Sequence, residues 1–150
     1  MKPIQFEIHG VTSKSSEEIC AALLDTERWS DFGGYSILPG IKHAHFEIRT
    51  PEVLGSRIIV QNTDGSAHIE EIVEWDPAKK VVLKFQAFTP PLKNIASHFI
   101  ETWEFERSNT ETHTKRSMSM YPNHLFGWLI LLPISRLMKK AFEQNAKQFS

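Results

Sequence analysis

Apolar and polar residues alternate along most of this chain, and the spacing lengthens to three and four residues only near the start and over the last stretch. Residues 4 to 11 place Ile4, Phe6 and Ile8 on one face and Gln5, Glu7 and His9 on the other, the pattern of a half-buried strand. Ser15 followed by Glu18 is a capping box, and Ile19, Ala22 and Leu23 recur at helical spacing, which predicts a short helix to about Leu24. Thr26 is expected to cap a second short turn through Glu27, Arg28 and Trp29, stopped by Gly33 and Gly34.

Alternation resumes from Ile41 to Arg49, and Pro51 with Gly55 marks a turn before the β-branched run from Arg57 to Thr63. Asp64-Gly65 is a hairpin signal, the return strand runs from Ser66 to Trp75, Asp76-Pro77 turns the chain, and Val81 to Phe88 is the next strand. Pro90 and Pro91 make 89 to 96 a loop at one end of the sheet. His98 to Arg107 and Thr112 to Tyr121 flank Ser108-Asn109-Thr110-Glu111 and form a last long hairpin. From Asn123 onward the tail reads as helix, with Ile134, Leu137, Met138, Ala141, Phe142 and Ala146 in one stripe and Lys139, Lys140, Glu143, Gln144 and Lys147 opposite. The apolar run Leu125 to Leu132 precedes Pro133, is far short of the roughly 20 residues that span a bilayer, and reads as the start of the buried terminal helix.

Composition narrows the function classes. The 150 residues suit one domain over 1–150, able to bury roughly 70% of its unfolded surface. Charge is nearly balanced, 17 Lys plus Arg against 18 Asp plus Glu, so no field favours nucleic acid or an anionic membrane, and neither is an expected partner. The single cysteine, Cys20, fits a reducing compartment, and the N-terminal pattern lacks the apolar core of a signal peptide, so a cytoplasmic location is expected. Ten phenylalanines and four tryptophans fill a core and can also line an apolar ligand site. Neither a nucleophile elbow, a phosphate-binding glycine loop nor an HExxH element is present, so any catalysis would be acid-base in type. His43 and His45 point to one side of a strand, but no third metal ligand lies near in sequence; no metal and no cofactor is expected.

A strand, two small helices, a run of antiparallel strands and one long terminal helix is an uncommon order. It resembles the helix-grip fold of the START and birch-pollen-allergen superfamily (SRPBCC). The likeness sharpens at Trp29-Ser30-Asp31-Phe32, Pro39-Gly40-Ile41-Lys42 and Val53-Leu54-Gly55-Ser56-Arg57, and at Val73-Glu74-Trp75-Asp76-Pro77 followed by Val81-Val82-Leu83. These resemble the polyketide cyclase/dehydrase and lipid-transport branch, and the similarity of element order covers almost the whole chain. The resemblance implies an α+β domain in which a curved antiparallel sheet of six to seven strands wraps the C-terminal helix, with a deep pocket beneath that helix. It implies no single reaction, because such folds serve carriers, sensors and cyclases.

Strand parity nominates the wall of that pocket: Leu83 and Phe85, then Phe99, Trp103 and Phe105, then Met118 and Met120, with Leu137, Met138 and Phe142 from the helix. Trp29 and Phe32, just before a glycine pair, are placed to gate it. Glu101 and Arg116 share the inward parity, and centring the turn on Asn109-Thr110 pairs Trp103 with Arg116 and Glu101 with Met118, so the two charges become diagonal neighbours able to meet. A dry pocket of roughly 300 Å³ would cost on the order of 7 kcal/mol, so the space is expected to be smaller, wet or occupied. The expected function is binding or carriage of a small hydrophobic or amphipathic ligand, lipid- or polyketide-like, with Glu101–Arg116 as its polar anchor. The alternative is a cyclase or dehydratase in which Glu101 accepts the proton, and a third reading makes the apolar tail an interaction surface.

Overall fold

A computed structural model describes residues 1–147. Strand β1, Ile4–Thr12, buries Ile4 and half-buries Phe6 and Ile8, while Gln5, Glu7 and His9 face solvent. Helix α1, Ser16–Leu24, starts with the reciprocal capping pair: Glu18 N–H donates to Ser15 Oγ at 3.1 Å and Ser15 N–H to Glu18 Oε1 at 3.3 Å. A 3₁₀ turn, Thr26–Asp31, follows. Thr26 is its first residue and not its cap; Asp25 holds that place without a side-chain hydrogen bond. The chain then doubles back at Gly34, whose φ is +75° and where a Cβ would stand 2.3 Å from Leu38 O, so only glycine fits.

Six further strands follow: β2 Ile41–Ile48, β3 Arg57–Asn62, β4 Ala67–Asp76, β5 Lys80–Gln86, β6 Ala96–Ser108 and β7 Glu111–Pro122. All pairings are antiparallel, in the order β1-β7-β6-β5-β4-β3-β2, so β1 crosses back to pair with β7. The β6–β7 hairpin sets Glu101 opposite Met118 and Trp103 opposite Arg116, the register expected from a turn centred on Asn109-Thr110. Irregularities within β2, and at Ile72/Glu74 on β4, break the ladders locally and bend the sheet. Strand β5 ends before the expected Phe88 because Ala87 adopts φ +55°, which leaves the ladder and turns Phe88 inward against Phe99, ring centroids 4.8 Å apart.

Helix α2, Leu125–Ala146, begins two residues later than expected, with His124 as cap: its Nδ1 accepts from Gly127 N–H at 2.9 Å. It passes through Pro133 unbroken. Pro133 and Leu129 both face solvent, so the bond that proline cannot donate is lost where water replaces it. Its second half matches the expected stripe, with Ala141 and Phe142 buried and the named charged residues exposed. The first half corrects the reading of Leu125 to Leu132 as buried: Leu125 and Phe126 are each 65% exposed and Leu129 54%. Only Gly127 and Leu131 are buried there, and Gly127 lies so close to the chain that a Cβ would stand 2.4 Å from Ile95 O.

Two apolar clusters flank the space between sheet and helices. One gathers Ile4, Phe99, Met118, Met120, Leu131 and Phe142 beneath α2; the other gathers Ile19 and Cys20 of α1 with Ile72, Val81, Leu83, Trp103 and Phe105.

Candidate functional site

Between these clusters lies a cavity of about 490 Å³. The 3₁₀ turn supplies Trp29 and Phe32, β5 supplies Leu83 and Phe85, β6 supplies Phe99 and Glu101, β7 supplies Arg116, and α2 supplies Leu137, Met138 and Phe142. Trp29 is held by its indole N–H, which donates to Leu23 O at 3.1 Å. The space is too large to stand empty. Sealed and dry, an apolar space of this size would carry the kind of penalty that cavities left by large-to-small core mutations carry, but its rim opens to solvent. Water or a ligand must fill it.

Four of the residues nominated from parity, Trp103, Phe105, Met118 and Met120, are not on this wall. Met118 and Met120 point inward as expected but are completely buried beneath α2. Trp103 is likewise inward, yet α1 covers it together with Phe105. Parity tells which face of the sheet a side chain takes; which helix lies over that face decides between core and wall.

The polar end of the cavity is built around Arg116. Its Nε donates to Glu101 Oε2 in a short buried ion pair, and its Nη1 donates to Asn145 Oδ1 on α2 at 2.9 Å. The guanidinium carbon sits 3.7 Å from the centre of the Phe142 ring and 4.6 Å from that of Trp103. Trp103 therefore supports the site from behind, holding the arginine that does line it.

Strand parity in the sequence does not reveal a second acid-base pair. His68 and Glu70 on β4 both line the cavity, and His68 Nε2 lies 2.8 Å from Glu70 Oε2. The imidazole stacks on Phe85, centroids 5.1 Å apart and planes within 13°. Burial pushes the Glu70 carboxyl above its ordinary value, opposed by the hydrogen bond from His68 and the charge of that residue. Phe88, Leu92 and Ile95 of the 87–95 loop also line the cavity, as does the exposed Ile37.

Elsewhere the chemistry is sparse. His43 and His45 stack on an exposed face, centroids 5.8 Å apart, and among the described residues no group of three or more His, Cys, Asp or Glu could hold a metal. Burial, with the charges of Glu17 and Asp76, pushes the Cys20 thiol up to about 12, which keeps it protonated and unreactive. No helix among the described residues is long and apolar enough to cross a membrane.

No family model matches the chain, and no curated protein matches its sequence. Solved structures do match its shape. A protein from Mesorhizobium loti, MLL2253, superposes with a TM-score of 0.69 at 14% identity over 97% of this chain and 95% of that one. Ara h 8.0201 gives 0.65 at 15% over 97% and 99%. A START superfamily protein from Mycobacterium smegmatis gives 0.64 at 11% over 97% and 99%. Each likeness spans nearly the full length of both chains, and so this chain has the helix-grip fold, a curved antiparallel sheet around a long C-terminal helix, that these structures share.

Proposed function

We propose that the chain works as one ligand-binding domain that takes up a small hydrophobic or amphipathic molecule, lipid- or polyketide-like, in the cavity beneath α2. The observation that carries this reading is the cavity itself: about 490 Å³, walled by Phe32, Phe85, Phe99 and Phe142 and polar at one end. That volume falls within the range of small-molecule sites, which are mostly apolar with a few placed polar groups. The solved relatives share the fold, which by itself assigns no ligand. The protein acts as a carrier or binder in the cytoplasm, where a reducing environment suits the lone buried Cys20.

Native mass spectrometry of protein purified from cells tests the reading, with a retained apolar molecule as the expected result. A neutral fluorescent reporter such as N-phenyl-naphthylamine should also bind the purified protein. Failure of the reporter to bind the folded protein, together with a bare native mass, rejects it.

A second reading, an acid-base enzyme of cyclase or dehydratase type, is favoured by one observation: the hydrogen-bonded His68–Glu70 pair facing the cavity. Glu101 is engaged by Arg116, so His68 with Glu70 behind it is the better base. Loss of turnover on a cyclisable polyketone in His68→Gln, with reporter binding retained, would separate this reading from carriage.

A further inference from the structure

We infer that the cavity selects uncharged amphipathic ligands, whose polar end is a hydroxyl or carbonyl oxygen, and rejects carboxylates, phosphates and ammonium groups on the same apolar body. The inference rests on the ligand-binding reading above and adds the class of ligand.

Four ionisable side chains of the sheet line the cavity, and each acid already has a base beside it. Arg116 cannot shed its proton and is met by Glu101 on the neighbouring strand; His68 and Glu70 meet on β4. The first pair is a cation against an anion. In the second, the imidazole lies 2.8 Å from the carboxyl, and burial pushes that carboxyl above its ordinary value, toward its uncharged form. The polar end therefore carries strong hydrogen-bonding groups, each already engaged by a neighbour.

A charged head would find no partner there. An anion drawn to Arg116 also approaches Glu101 and Glu70, and Arg116 is already edged by Glu101 and Asn145 and faced by two aromatic rings. A cation drawn to the carboxylates meets Arg116. Either would be stripped of water in an apolar space without compensation, which burial of a charge requires. A neutral oxygen can accept from the guanidinium edge or donate to a carboxylate and leave no charge unpaired. Charges at the mouth do not change this, because pairs such as Arg28 and Asp31, 3.4 Å apart and exposed, are solvated and screened.

The test displaces N-phenyl-naphthylamine from the protein with dodecanol, dodecanoate and dodecylammonium at neutral pH, each below its micelle concentration. Dodecanol should compete at least about ten-fold better than either ion. Dodecanoate or dodecylammonium competing as well as dodecanol overturns the inference, whereas a reporter that does not bind at all strikes the ligand-binding reading instead. Glu101→Gln sharpens the result: with Arg116 left as an uncompensated cation, the preference for dodecanol over dodecanoate should shrink by about ten-fold. An unchanged preference in a variant that still binds the reporter also overturns it. If that variant fails to fold, the ranking by the unaltered protein decides alone.

Discussion

Arg116 meets Glu101 across two neighbouring strands, whereas His68 meets Glu70 two residues along a single strand. The first contact exists only if β6 and β7 keep their register, and it is extended by Asn145 and Phe142 of α2. It thus ties two strands and the gripping helix together. The second needs only that β4 turn one face inward, and its ring rests on Phe85 at the cavity. Two buried acid-base pairs a short distance apart should therefore do different work, the one holding the fold and the other serving the site.

The largest effect expected from this contrast comes from removing Arg116. Arg116→Met leaves Glu101 buried beside no cation, and breaking a buried pair by one partner costs about 3–5 kcal/mol. Glu101→Gln with Arg116→Met should be far less destabilising than the sum of the two single changes, as read in a double-mutant cycle by denaturant unfolding. Additive effects would make the pair no more than two independent polar residues.

Next in size is the aromatic face. Phe142→Leu keeps an apolar side chain in α2 but removes the ring on which the guanidinium lies, worth about 2 kcal/mol at a desolvated site. The loss should largely vanish when the change is made in the Arg116→Met background. If it persists undiminished there, Phe142 acts by packing with Phe6 and Phe32 alone, whose rings it meets edge-on at 5.5 and 6.0 Å.

How far each pair can be read from the sequence follows from the same geometry. The four-residue link from Ser108 to Glu111 sets the register of the last hairpin, so the diagonal Glu101–Arg116 contact is legible once the inward face is known. The helix stripe is legible because Lys139, Lys140, Glu143 and Gln144 mark the opposite side. His68 and Glu70 are hidden by a conflict on β4. Ile69, Val73 and Trp75 are apolar and suggest that the odd positions face inward, yet the irregularity at Ile72/Glu74 changes the pairing, and it is Glu70 and Ile72 that are buried. Wall and core residues share one parity, so Met118 and Met120 could be told from Phe85 only by knowing where α2 lies. The exposed Leu125, Phe126 and Leu129 are apolar at a helix start, and nothing local distinguishes them from buried ones.

The smallest effect, and the one that most directly opposes the two pairs, is expected at Glu70. Glu70→Gln keeps the shape and a donor toward His68, so near neutral pH the change in stability should stay within the worth of one hydrogen bond, about 1 kcal/mol. Its signature is the dependence on pH. Because burial raises the Glu70 pKa in the folded protein, its protonated form contributes stability that is fully present below the ordinary value of 4.5 and is lost as pH rises through the folded value. Glutamine has no proton to lose. The variant should gain on the unaltered protein as pH increases from about 4.5 toward neutrality and beyond. The groups facing Glu70, namely His68 on its own strand, Glu101 on β6 and Arg116 on β7, are common to both proteins, so their own titration is largely removed by taking the difference. Melting temperatures of the two proteins measured across that range give the difference. A difference that stays flat, or that moves in favour of the unaltered protein as pH rises, would mean that Glu70 carries its charge in the folded state and that the His68–Glu70 pair is held, like Arg116 and Glu101, by its charges.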